Sequence, residues 1–171
     1  MSKCEFYSKD LLLLNEELSK LEFDSEISVK AVVTKINYGK PLPVLVEECA
    51  FNWFWLDVNV DNFAPSRCDN DRVVIYIVSC PDTLSLESFI SKLGFDGYRP
   101  IDLWELLHIA RDFPDLPRNT VIYGDESSRL ALAECNCVPY LDISGQQRGI
   151  GLCQPYQKPT QGGYFGVTFT A

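Results

Sequence analysis

The sequence predicts an α+β protein, and three stretches carry the prediction. Residues Asp102 to Ala110 have the signature of a capped helix: Asp102 is placed as N-cap, and Glu105 three residues on completes a capping-box-like pair. Leu103, Leu106, Leu107 and Ala110 then fall at i, i+3, i+4 and i+7, one stripe facing a core. From Ile27 the period changes to two, with Ile27, Val29, Ala31 and Val33 as the inward side of a half-buried strand. Arg72 to Val78, RVVIYIV, is apolar on both faces and reads as a central strand.

Taken in order, Ser8 caps a first helix whose buried stripe is Leu11, Leu14, Leu18 and Leu21, with Glu16 and Lys20 paired on its wet side. The strand from Ile27 runs to a turn at Asn37–Pro43, and Pro43 suits the first position of a short helix ending at Cys49. Phe51 to Val60 reads as a strand with two unlike faces. Phe54, Leu56, Val58 and Val60 line one; Trp53, Trp55, Asp57 and Asn59 line the other. Pro65–Asp71 is a polar turn, and its Asp69, Asn70 and Asp71 fit turn chemistry rather than a cation loop. Ser85 caps a helix with Leu86, Phe89, Ile90 and Leu93 inward, and Thr120–Tyr123 and Val138–Leu141 are short apolar strands. The glycine- and proline-bearing tail from Gly145 should make short strands and long shaped loops. A change of composition near Cys80-Pro81 divides the chain into an α/β module at 1–80 and a second module at 81–171.

At 171 residues the chain is one domain or two small ones, able to bury roughly 70% of its unfolded surface. A hydrophobic content of 46% belongs to a packed globule rather than a disordered chain. The formal charge of −9 argues against nucleic acid and anionic membrane as partners, because both require a positive field. No apolar run approaches the ~20 residues of a membrane span. The leucine run at 11–14 is too short for a signal segment and is interrupted at once by Asn15, Glu16 and Glu17. A cytoplasmic protein is expected. Its seven cysteines then read as thiols packed like small hydrophobes, a disulfide framework being the alternative.

Few residues offer chemistry. His108 is the only histidine, so any histidine-assisted nucleophile must use it, yet no Gly-x-Ser-x-Gly elbow or papain-like cysteine context is present. A structural role is expected for it. Cys135, Cys137 and Cys153 lack the paired knuckles of a zinc site, and Gly149-Ile-Gly151 lacks the third glycine of a phosphate loop. No metal and no cofactor are expected. Trp53 and Trp55, with Asp57, read as tryptophans buried beneath the first helix; the competing account is an aromatic platform with carboxylates, suited to a sugar or peptide.

Residues 85–171 carry a resemblance. SLESFISKLGFDGYRPIDLWELLHIARDFPDLPRNTVIYGD, NCVPYLD, QQRGIGL and the terminal YFGVTF are similar to a group of uncharacterised bacterial proteins with a C-type-lectin-like C-terminal half. Gly97 to Arg111 also resembles a segment of the formylglycine-generating-enzyme type of that fold, shared with retroelement variable proteins. The resemblance implies two helices supporting a small twisted sheet, with long C-terminal loops presenting the ligand. The paired C-terminal cysteines of the sulfatase-modifying enzymes have no counterpart, since Cys153 stands alone there, so catalytic activity is not implied. The whole would be an N-terminal helix and small antiparallel sheet packed on the lectin-like half.

Function follows as a set of expectations. The leading one is a non-catalytic module that binds a protein or a small polar ligand through the loop from Arg148 to Tyr164, using Arg148, Gln154, Tyr156, Gln157, Lys158, Thr160, Gln161 and Tyr164. The alternative is a subunit or adaptor of a larger assembly, held through Trp53, Trp55 and Asp57. A weaker one is an enzyme dependent on cysteine or metal at Cys135, Cys137 or Cys153. An exposed apolar patch at the tryptophans would favour the assembly, and a concave site at the tail loops the ligand. A thiol with a lowered pKa would favour the enzyme.

Overall fold

Two helices and eight strands make up the part of the chain described by the structure, a computed structural model: residues 29–59, 63–65, 71–79, 98–116, 118, 120–124, 137–153 and 163–169. In chain order these are β1 (Val29–Ile36), α1 (Leu42–Glu48), β2 (Trp53–Phe54), β3 (Asp71–Ser79), β4 (Tyr98–Pro100), α2 (Leu103–Asp112), β5 (Thr120–Tyr123), β6 (Val138–Ser144), β7 (Gln147–Cys153) and β8 (Gly163–Phe169). The fold is mixed α+β. The helices expected from Ser8 and Ser85 lie outside the described residues.

All eight strands join one sheet in the order β1-β3-β8-β5-β6-β7-β2, with β4 paired to β8 off that path. Most neighbours are antiparallel; β5 runs parallel to β8, and β2 parallel to β7. Segments from either side of the boundary expected near Cys80 share this sheet. β1 and β3 hold one end, β2 holds the other, and the later strands lie between. One core joins them as well, from Val32 and Ile36 through Ile75 and Ile77 to Ile122, Leu141 and Ile150, beneath Leu103, Leu106 and Leu107 of α2.

Strand β1 has the expected period of two but the opposite phase. Val32, Thr34 and Ile36 are buried, while Lys30, Val33 and Lys35 are exposed and Ala31 is half-buried. Both phases carry apolar residues, so α2 decides: it packs on the even-numbered side, where Thr34 donates a hydrogen bond to Asp112 Oδ2. A one-residue shift of phase moves every side chain to the other face.

Helix α2 also departs from the single stripe. Its capping box is present, with Glu105 N–H donating to Asp102 Oδ1 and Asp102 N–H to Glu105 Oε2, both at 2.9 Å. Every residue from Leu103 to Ala110 is buried, however, because α1 and the turn at 37–40 cover the side that a one-core reading leaves wet. Helix α1 begins one residue before the expected Pro43, and Ala50 beyond its end has φ 50°, a left-handed conformation usually left to glycine.

The strand expected over Phe51–Val60 is a correction. Among its described residues, 51–59, only Trp53 and Phe54 pair, parallel to Gly149 and Ile150, and the chain turns at Leu56 and Asp57; Val60 lies outside the described residues. The two-faced alternation is not kept either: Phe54, Trp55 and Leu56 are all exposed and Val58 is buried, and β2 is the last of the described strands in the sheet.

Candidate functional site

Three polar bonds lock the turn after β1 onto α2. Asn37 N–H donates to His108 Nε2 at 3.0 Å, the Tyr38 hydroxyl donates to Glu105 Oε1 at 2.6 Å, and Trp104 Nε1–H donates to the Lys40 carbonyl at 3.2 Å. Glu105 is fully buried and also accepts from both terminal nitrogens of Arg99, a bidentate pair. Burial first, and then the Glu105 carboxylate, push the Tyr38 phenol well above its ordinary value, so it remains a neutral donor.

His108 is held at both ring nitrogens. The Trp104 carbonyl can only accept and Asn37 N–H can only donate, so Nδ1 carries the proton, donating at 2.7 Å, and Nε2 is the acceptor. Burial lowers its pKa, outweighing the bond to Trp104 that acts the other way. Both of these bonds are internal to the fold, and among the described residues no nucleophile hydroxyl or thiol is bonded to it.

The described cysteines form no disulfide. Cys49 is buried, donates to the Leu107 carbonyl at 3.2 Å, and is pushed up to about 12 by burial. Cys153 is likewise pushed up to about 12, by burial and then by the neighbouring Cys137. Cys135 lies outside the described residues, among which no group of three His, Cys, Asp or Glu side chains is placed for a metal ion.

Of the residues expected to bind a ligand through the tail, Gln154, Tyr156, Gln157, Lys158, Thr160 and Gln161 lie outside the described residues. Arg148 and Tyr164 are described, and both face the helices. Arg148 reaches the end of α2, where its guanidinium donates to the Ala110 carbonyl, and Tyr164 packs against the main core. These two side chains serve packing and capping.

The opposite face of the sheet holds a row of rings, of which the sequence singled out Trp53 alone. Tyr123 of β5 pairs with Phe165 of β8 on one side and Tyr140 of β6 on the other; the ring centroids lie 5.4 and 6.1 Å apart. Tyr140 in turn pairs with Gly151 of β7, and Trp53 pairs with Gly149. A Cβ on Gly149 would lie 2.0 Å from Trp53 Cε2, and one on Gly151 2.8 Å from the Tyr140 oxygen. The glycines therefore form a floor on which both rings lie. Trp53 and Tyr140 are 6.4 Å apart between centroids and inclined at 56°. Exposure grows along the row: Phe165 and Tyr123 are buried, Tyr140 and Trp53 half-buried.

Beyond Trp53 the chain leaves the sheet with large apolar side chains outward. Phe54 is 51% exposed, Trp55 47% and Leu56 82%, followed by exposed Asp57, while Val58 turns back into the core. Trp55 N–H donates to the Ile150 carbonyl at 3.0 Å and Asn52 N–H to the Arg148 carbonyl at 2.8 Å, so the backbone that presents this segment is fixed to β7. The tryptophans are thus not buried together: Trp53 rests on the sheet and Trp55 projects. The available sequence signal for Tyr140 and Asp142 was the alternation in VPYLDIS facing the Gly-Ile-Gly of the next strand, large side chains opposite missing ones.

No protein-family model, no curated protein and no solved structure matches this chain.

Proposed function

We propose that the chain is a non-catalytic protein-binding subunit or adaptor that docks through its β2 edge, with Phe54, Trp55 and Leu56 as the contact and Asp57 at its rim. The observation that carries this reading is the run of three consecutive large apolar side chains, between 47% and 82% exposed, on backbone pinned to the sheet. Solvent-facing apolar clusters on a fixed frame are typical of interaction surfaces, and tryptophan is enriched among the residues that dominate them. Protonated, burial-raised thiols at Cys49 and Cys153 support a non-catalytic role over cysteine chemistry.

The lectin-like reading of residues 81–171 rests on the resemblance of Gly97–Arg111 and the tail phrases, and belongs to this proposal rather than to the observed fold. Under it the segment Arg148–Tyr164 would offer a second ligand surface, although its described ends are engaged with the core. A cytoplasmic location is in keeping with the acidic charge and unpaired Cys49, and no helix among the described residues is long and apolar enough to cross a membrane.

The test compares two variants of the full chain as baits in cell lysate, read by mass spectrometry. Trp55→Ser with Leu56→Ser should fold and lose the partners of the wild type. Tyr156→Ala with Gln157→Ala and Lys158→Ala should keep them. The reverse pattern would place the binding surface on the tail and overturn the proposal.

A further inference from the structure

The corner between Trp53 and Tyr140 has a carboxylate beside it. Asp142 pairs with Gly149 across β6 and β7, and Gly149 pairs with Trp53 across β7 and β2. Directly paired residues share a face of the sheet, so Asp142 and Trp53 flank the same glycine on the same side. Tyr140, two residues before Asp142, lies on that side as well and leans over Gly151. Ser144, two residues further on, donates its hydroxyl to Asp142 Oδ1 at 2.5 Å and orients the carboxylate. Asp142, like both rings, is half-buried, and none of the ion pairs among the described residues includes it.

We infer that this corner takes the cationic side chain, arginine or lysine, of a basic segment in the docking partner. An aromatic face carries negative potential, and here two rings, 6.4 Å apart between centroids, stand beside the Asp142 carboxylate, which adds to it. One face of Trp53 is occupied by the Gly149 backbone, which fixes the ring at little entropic cost and leaves its other face directed away from the sheet. The chain as a whole is acidic, at −9, so a basic partner is also drawn in at long range. A hexose is the less suitable occupant: it asks for one broad flat face, whereas the two rings here are inclined at 56° and an anion stands beside them. The inference rests on the docking reading above, since Trp55 and Leu56 follow closely on Trp53 and would hold the apolar neighbours of the cation, while Phe54, paired with Ile150, lies on the other face of the strand.

The experiment titrates the full chain with a synthetic peptide alternating leucine and arginine, against one alternating leucine and glutamine, by calorimetry in moderate salt. The arginine peptide should bind, and the glutamine peptide should bind about tenfold more weakly, the size of a partly desolvated cation on aromatic rings. Asp142→Asn and Trp53→Leu should each reduce the arginine peptide's affinity several-fold, while Glu47→Gln, an equal change of net charge on exposed α1, should leave it unchanged. Far-UV circular dichroism checks that each variant is folded. Equal binding of the two peptides overturns the inference, as does an equal loss in Glu47→Gln, which would make the attraction a matter of net charge. Saturable binding of methyl glucoside that Trp53→Leu abolishes, with no preference for arginine, overturns it in favour of a sugar. Trp55→Ser separates the two proposals. If it abolishes capture of natural partners while Asp142→Asn does not, docking stands and the cation corner fails; if neither does, docking itself fails.

Discussion

Trp104 and Trp53 lie in two regions that use the same chemistry to different ends. Trp104 is 3% exposed and closes its indole N–H on the Lys40 carbonyl; its neighbours Glu105 and His108 are completely buried and bonded to the same turn. Trp53 lies half-open on a glycine floor at the end of the sheet, beside a carboxylate in no described ion pair. In the first region each polar group is satisfied by another part of the chain, so the residues specify the fold. In the second the two rings and the carboxylate are only half-buried and remain partly open to solvent. Residue type therefore says little about role here; what separates structure from candidate site is whether the partners are internal.

If that contrast is right, the largest loss of stability should come from the buried network. Glu105→Ala should cost about 3–5 kcal/mol in urea denaturation, because it leaves the Arg99 guanidinium unpaired and removes the acceptor of Tyr38 and of the Asp102 N–H. A loss below about 1 kcal/mol would mean that water replaces the carboxylate and that the network is not sealed.

A smaller effect is expected from pH. His108 titrates lower in the folded protein than its free value because it is buried. Above about 6.5 it is neutral in both states. Below that value the unfolded chain takes up a proton that the folded one refuses, so stability should fall as pH drops toward the folded pKa. The charged groups nearest it are Lys40 from the turn and Arg111 and Asp112 from α2. Asp112 is held below the usual carboxylate range, since its bonds to Arg111 and Thr34 outweigh a burial that acts the other way; its own loss of stability starts only at much lower pH. Urea midpoints at about pH 7.5 and 5.5 should therefore differ for the wild type and much less for His108→Gln. Equal pH slopes in the two proteins would show that another group is responsible.

The smallest effect should be at the open edge. Trp55→Ala removes a large aromatic side chain, yet its exposure predicts a change within about 0.5 kcal/mol. A loss of several kcal/mol on denaturation would show that Trp55 is covered in the folded protein and would remove the central support for docking there.

Much of the architecture was legible in local pattern. The capping box at Asp102 and Glu105, the strand at Thr120–Tyr123, the central position of RVVIYIV and the short helix ending at Cys49 all follow from signals within a few residues of one another. The candidate site was only half legible. Trp53, Trp55 and Asp57 could be singled out as an aromatic and acidic stretch, but Tyr140 and Asp142 join them only because β2 pairs in parallel with β7, about a hundred residues later in the chain.

What the sequence by itself determined is the set of elements and their caps, because turns, caps and hydrophobic period act over distances of a few residues. Tertiary structure decided the phase of β1, since both of its faces carry apolar side chains and only the seat of α2 chooses between them. It also decided that α2 is buried all round, because Tyr38 and Lys40 arrive from a distant turn to satisfy the polar side that its own sequence leaves unpartnered. And it decided which tryptophan rests on the sheet and which is surface: among the described residues β2 has a strand on one side only, its pairing ends after two residues, and the next large side chains turn to solvent.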